Sequence, residues 1–181
     1  MNQFDFLKTA FSDYRVGAIA ASSRYAVRRV AANLPAGAKY AVEYGAGEGS
    51  MTRGILENLP ENGRLMAVEL NRDFWPALES IKDERLKLLN NDVLELSGRL
   101  KNLGLPKVDA IVSGIPFSFF SPSRRRKITE QTAEGLSEGG VFIVYQYSLL
   151  ILPILKKYFR EVKVSFEPRN LPPYFIMTAK K

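Results

Sequence analysis

Two residue types are missing from this chain of 181 residues: cysteine and histidine. The first absence excludes disulfides, thiolate nucleophiles and zinc–sulfur sites. The second removes the usual general base and the commonest metal ligand, so no metal is expected. Any chemistry rests on carboxylates, hydroxyls, tyrosines, lysines or a cofactor. Long apolar runs are also lacking. The longest, "LLILPIL" from Leu149 to Leu155, contains a proline and falls far short of the roughly 20 residues that span a bilayer. No secretory pattern opens the chain, because Asp5 and Lys8 break its first apolar stretch. The expectation is a cytoplasmic protein, free or held peripherally at the inner membrane surface.

What is present is ordinary for one folded domain: 46% hydrophobic and 25% charged residues, with no internal repeat. The net charge of +7 is uneven. Residues 1–30 are basic, residues 31–112 slightly acidic, and residues 113–181 strongly basic. Two basic ends suit a polyanion, either nucleic acid or an anionic lipid surface.

From Lys39 onward, strand and helix patterns alternate. "YAVEY", "RLMAVEL", "LKLLNND", "VDAIVSG" and "GGVFIVYQY" read as strands, followed by "VKVSFE" and "YFIMTAKK". Between them "SMTRGILENL", "RDFWPALESI", "LELSGRLKNL", "SRRRKITEQTAEGLS" (capped by Ser123) and "LLILPILKKYF" (interrupted at Pro153) read as helices. This alternation predicts an α/β fold whose parallel sheet is covered on both faces. The final two strands, joined only by "PRNLPP", pair antiparallel. Before the sheet, "SSRYAVRRVAANL" reads as a helix capped by Ser22 or Ser23. The chain divides into an N-terminal helical segment, 1–34, and a sheet domain, 35–181.

The first strand runs into "VEYGAGEGSMT", with glycines at 45, 47 and 49 just before a helix. Such a turn lets the backbone approach a ligand closely, at the carboxyl end of a strand where open α/β sheets bind. It lacks the Gly-Lys-Ser/Thr ending of a phosphate loop. Glu43 would repel a pyrophosphate but suit a ligand carrying positive charge. The second strand ends at Glu69, placed to accept hydrogen bonds from a ribose diol. The third ends in Asn91 and Asp92, able to bond a purine amino group. Three polar strand ends together make a nucleoside-shaped site.

"VEYGAGEGSMT", "AVEL", "NND" and "VSGIPF", in this order, resemble the class I S-adenosylmethionine-dependent methyltransferases. The resemblance implies a Rossmann-like, seven-stranded, mostly parallel sheet with helices on both faces and the last strand antiparallel. It implies S-adenosylmethionine as cofactor. Glu43, Gly45, Ala46, Gly47 and Gly49 would hold its methionine part, Glu69 and Leu70 its ribose, and Asn91, Asp92 and Val93 its adenine.

Two branches resemble the remainder. In ribosomal RNA adenine dimethylases the fourth strand ends in Asn, Leu or Ile, Pro, and an aromatic. Here Gly114 stands where that Asn would, so the side-chain acceptor for an adenine amine is missing. "SGIPFSFF" is more similar to the bacterial phospholipid N-methyltransferases, which read Ser-Gly-Leu-Pro before apolar residues. "RVGAIAASSRYAVRRV" and "NLPPYFI" are similar to that branch's N-terminal segment and to its entry to the last strand. The implied acceptor is an aminolipid such as phosphatidylethanolamine or an ornithine lipid. RNA is the runner-up partner, and a silent cofactor- or lipid-binding module is a third reading.

The expected catalytic lip is Ser113, Gly114, Ile115, Pro116 and Phe117. Pro116 fixes the turn, and carbonyls near Gly114 hold the amine. Tyr14, Tyr25 and Tyr147 are weaker candidates for head-group contacts. Phe4, Phe6, Leu7, Phe11 and Tyr14, beside Lys8, Arg15, Arg24, Arg28 and Arg29, form one candidate membrane-facing stretch. "SFFSPSRRRK", Ser118 to Lys127, forms the other, and it also suits single-stranded nucleic acid.

Overall fold

A computed structural model describes residues 22–97, 99–102 and 108–181. The apolar stretch expected at the membrane therefore lies outside the described residues up to position 21.

Helix α1 (Arg24–Ala31) leads into seven strands: β1 (Tyr40–Tyr44), β2 (Arg64–Val68), β3 (Leu86–Leu89), β4 (Ala110–Ser113), β5 (Val141–Gln146), β6 (Glu161–Glu167) and β7 (Tyr174–Lys180). They form one sheet in the order β3-β2-β1-β4-β5-β7-β6. All pairs from β3 to β5 are parallel, whereas β7 runs antiparallel to both β5 and β6. The short β6–β7 connection forces that antiparallel pairing. The insertion of β7 between β5 and β6 is set by packing. β7 is buried along most of its length, while β6 is largely exposed at the edge.

The connecting helices are α2 (Ser50–Asn58), α3 (Trp75–Glu79), α4 (Val93–Ser97), α5 (Pro122–Gly135) and α6 (Leu152–Tyr158). The central strands read as near-continuous apolar runs because both faces are covered. On one face Ala26, Val30, Met51 and Ile55 from α1 and α2 meet Ala41, Val112 and Ile143. On the other, Leu96, Ile128 and Leu155 from α4, α5 and α6 meet Ile111, Phe142 and Val144. Helix α1 thus contributes side chains to the same core as the sheet.

Three local expectations change. Pro153 sits in the first turn of α6 rather than interrupting it, since a first-turn proline gives up an N–H that has no helical partner. Ser121, not Ser123, caps α5, its hydroxyl accepting from Arg124 N at 3.3 Å. The helix expected over 94–103 is the short α4 and a 3₁₀ turn at Leu100–Asn102.

Candidate functional site

The glycine turn is held at the sheet's carboxyl edge. Gly45 N and Ala46 N both donate to Val68 O, at 2.9 and 3.1 Å, tying the end of β1 to the end of β2. Gly45, Gly47 and Gly49 all have positive φ, and Gly49 caps α2. A Cβ on Gly47 would meet nothing within 4 Å, so the turn is open to a ligand there.

Two carboxylates flank the turn. Glu43 is wholly buried, and its Oε2 accepts from Thr52 Oγ1 at 2.6 Å. Its Oε1 has no hydrogen-bond partner. Desolvation pushes the Glu43 carboxyl up to about 8, opposed by the Thr52 bond and helped by the charge of Glu69. Glu69 ends β2 with Oε2 accepting from Gly47 N at 2.9 Å and Oε1 from Asn71 N at 2.7 Å. Burial raises its pKa against those bonds. A buried carboxylate oxygen without a partner is costly. It fits a cationic ligand seated on the turn, as the cofactor reading requires.

At the end of β3, Asp92 accepts from Leu94 N at 2.7 Å, and both its oxygens accept from Arg124 Nη2, at 2.7 and 2.6 Å. Asn91 lies half-buried beside it, with Val93 buried and Leu70 exposed. The neighbouring Asn90, not singled out by the sequence, ties the strand ends together. Its Nδ2 donates to Glu69 O at 2.9 Å and Leu70 O at 3.1 Å.

The lip continues β4. Gly114 N donates to Tyr44 O at 3.0 Å, and Ile115 packs beside Gly45. The Ser113 hydroxyl is buried without a partner, on the opposite sheet face from Glu43. Pro116 caps a 3₁₀ turn, Phe117–Phe119. Phe117 N donates to Gln146 Oε1 at 3.3 Å, and Phe117 O accepts from Arg125 Nε at 2.8 Å. The Phe117 ring is fully buried, edge-on to Phe120 at 6.0 Å, so this residue offers its backbone to the lip and its ring to the core. The basic stretch also divides. Arg124 and Arg125 turn inward onto Asp92 and Phe117, leaving Arg126 and Lys127 exposed. An arginine near a carboxylate or a free carbonyl pairs with it, and the linear sequence does not show that proximity.

Gly114 has a neighbour that sequence reasoning missed. A Cβ there would lie 2.3 Å from the Tyr145 hydroxyl and 2.6 Å from its Cζ. Tyr145 stands on β5 with its ring 5.6 Å from that of Tyr174, at 53°. Burial, with the charges of Glu43 and Tyr174, pushes its pKa well up, so the hydroxyl stays neutral. The Ser22 side chain lies near both tyrosine hydroxyls. Of the tyrosines singled out earlier, Tyr147 is exposed and bonds Ser118 Oγ at 2.9 Å, whereas Tyr25 lies under the Arg169 guanidinium at 4.0 Å. The only available signal for Tyr145 was a tyrosine near the end of an apolar strand, which core packing explains equally well.

Among the described residues no acidic cluster is arranged for a metal ion, and no helix is long and apolar enough to cross a membrane.

A parallel sheet with an antiparallel β7 between β5 and β6, a glycine turn after β1 and a carboxylate ending β2 has the fold of class I S-adenosylmethionine-dependent methyltransferases. No protein-family model matches the chain. An ornithine lipid N-methyltransferase of Singulisphaera acidiphila is 29% identical over 173 residues, covering 92% of this chain and 90% of that relative. A ribosomal RNA small subunit methyltransferase A of Acidithiobacillus ferrooxidans is 33% identical over 96 residues, which is 52% of this chain and 34% of that protein. Among solved structures, a Burkholderia thailandensis 1,6-didemethyltoxoflavin-N1-methyltransferase with bound S-adenosylhomocysteine matches at a TM-score of 0.72 and 21% identity. That match covers 99% of this chain and 86% of that one. Fold and relatives together support an S-adenosylmethionine-dependent methyltransferase with S-adenosylmethionine as its cofactor.

Proposed function

We propose that the protein methylates the amine head group of a membrane aminolipid of the phosphatidylethanolamine or ornithine lipid type. The observation that carries this reading is the packing of the Tyr145 hydroxyl on Gly114. Enzymes acting on a base hold it in a snug pocket and read it by stacking and side-chain hydrogen bonds. At this lip the acceptor side chain is absent, its place is filled by Tyr145, and the Phe117 ring is committed to the core. A lipid amine on a flexible head group needs only point acceptors. The ornithine lipid N-methyltransferase supports the same acceptor class, since the likeness extends over nearly the whole of both chains.

In this reading Glu43, Gly45, Ala46, Gly47 and Gly49 hold the methionine part of the cofactor, Glu69 and Leu70 the ribose, and Asn91, Asp92 and Val93 the adenine. Asp92 retains free lone pairs beside the Arg124 bonds. The bound cofactor supplies a methyl group on a sulfonium, open to in-line displacement. The chain's part is to present the neutral amine at the lip, aligned and shielded from water. Leu149, Leu150 and Tyr147 after β5, and Leu171 after β6, are exposed at the carboxyl end of the sheet. With Arg126 and Lys127 at the start of α5, they favour peripheral contact with an anionic bilayer.

The test combines purified protein, methyl-labelled S-adenosylmethionine and anionic vesicles containing phosphatidylethanolamine or ornithine lipid, with ribosomal RNA in a parallel reaction. Label in the lipid extract is expected. Label confined to RNA overturns the reading.

A further inference from the structure

The start of α1 and the β6–β7 loop meet beside Tyr145 and Tyr174. Ser23 N donates to Asn170 Oδ1 at 2.8 Å, across 147 positions of sequence, and Asn170 Nδ2 donates to Pro172 O at 2.8 Å. Glu167 fastens the same junction. It accepts from Arg29 Nε at 2.9 Å and from Arg169 Nε at 2.7 Å, and Arg169 lies over the Tyr25 ring. These contacts hold the start of α1 over the β6–β7 loop. Ser22 is thereby set beside Tyr145 and Tyr174.

The sheet register brings the same groups to one face. Glu43 pairs with Val112, Val112 with Ile143, and Tyr145 with Ile176. Side chains alternate along a strand, so Glu43, Tyr145 and Tyr174 project to one side, the side covered by α1 and α2. Gly114, partly exposed, follows β4 with the Tyr145 hydroxyl packed against it. Next to Tyr145 stand the Tyr174 ring, the Ser22 side chain and, on the same face, the buried Glu43 carboxyl with an oxygen that has no partner.

We propose that the hydroxyls of Ser22, Tyr145 and Tyr174, gathered beside the Gly114 backbone, seat the acceptor amine and grade acceptors by the number of N–H bonds they carry. A phenol or alcohol oxygen accepts hydrogen bonds in its neutral form. A neutral primary amine brings two N–H donors, a monomethylated amine one and a dimethylated amine none. In each transfer an N–C bond would form as the donor's S–C bond breaks, and the resulting ammonium gives up one proton to solvent water; the neutral product then offers the seat one N–H fewer and keeps the ring contacts. The seat therefore binds the first acceptor of a methylation series best and releases the products progressively. This inference rests on the aminolipid reading and specifies which groups recognise the amine.

The test measures KM and kcat of the wild type and of Tyr145→Phe with three lipids in otherwise identical vesicles: a primary-amine lipid, its monomethyl form and its dimethyl form. Cofactor binding is measured alongside to verify the fold. Tyr145→Phe is expected to raise KM for the primary amine roughly tenfold, the size of one net hydrogen bond, with a smaller rise for the monomethyl lipid. The dimethyl lipid should stay within about twofold. Ser22→Ala, at the periphery of the cluster, should show the same gradient more weakly and covers the case in which Tyr145→Phe misfolds. Equal losses on all three lipids, or no loss on any, overturn the seat. A wild type that labels none of the three overturns the aminolipid reading itself, a separate failure.

Discussion

The Tyr145 hydroxyl occupies the space in which a side chain at position 114 would begin, 2.3 Å from an ideal Cβ on Gly114. Tyr145 is only 6% exposed and packs against Tyr174, so it has little room to retreat. Gly114→Ala should therefore cost about 1–3 kcal/mol of stability, the usual penalty of overpacking. Gly114→Asn should cost more and reduce methylation without creating adenine activity. Thermal unfolding and parallel lipid and RNA assays measure both. A gain of adenine methylation in Gly114→Asn would indicate that the lip is built for a base.

Glu43 links stability to pH. Its carboxyl is raised from its ordinary 4.5 to about 8 by burial. The stability tied to its protonated form is fully present below about 4.5 and is lost as pH rises through about 8. Glu43→Gln keeps an acceptor for Thr52 but cannot ionise. The variant should lose less stability than the wild type between pH 5 and pH 9, by on the order of 3 kcal/mol. Denaturant titrations at the two pH values test this. Because a sulfonium favours the ionised form, cofactor binding near pH 7 should release a proton in the wild type and none from this site in the variant, as read by calorimetry in two buffers.

Glu167 has the opposite sign. Arg169 first, then Arg29, hold its carboxyl down to about 2. That stability is present above about 4.5 and disappears as pH falls through about 2. Glu167→Gln should lower Tm at pH 7, with the difference from the wild type closing toward pH 2. It should also raise KM for the acceptor amine while leaving cofactor affinity unchanged, because the clamp positions Ser22 and does not touch the glycine turn.

Asp92→Ala removes the partner of Arg124 and the cap of α4. It should weaken S-adenosylmethionine binding tenfold or more, the loss of a charge-assisted hydrogen bond, and destabilise the fold. Arg124→Ala should leave Asp92 available and reduce cofactor affinity far less. Unchanged affinity in Asp92→Ala would remove this residue from the adenine site.

Much of this protein is written in local sequence. The boundaries of β1 match "YAVEY" because a short apolar run before a glycine turn has few alternatives, and three glycines at positive φ are what a tight strand-to-helix turn demands. The parallel sheet follows from alternating strand and helix patterns, and the antiparallel β7 from a connection too short for a crossover. The placement of Glu43 and Glu69 beside the turn was legible because it follows from strand geometry.

Tertiary structure alone decided the rest, because those contacts join residues far apart in the chain. The insertion of β7 between β5 and β6 depends on which strand buries more apolar surface. The use of Arg124 and Arg125 on Asp92 and Phe117 depends on the approach of α5 to the strand ends. The meeting of Ser22, Tyr145, Tyr174 and Asn170 needs α1, β5 and β7 assembled at once. No periodicity in the sequence records it, since a buried tyrosine pattern reads the same whether its hydroxyl faces the core or a substrate.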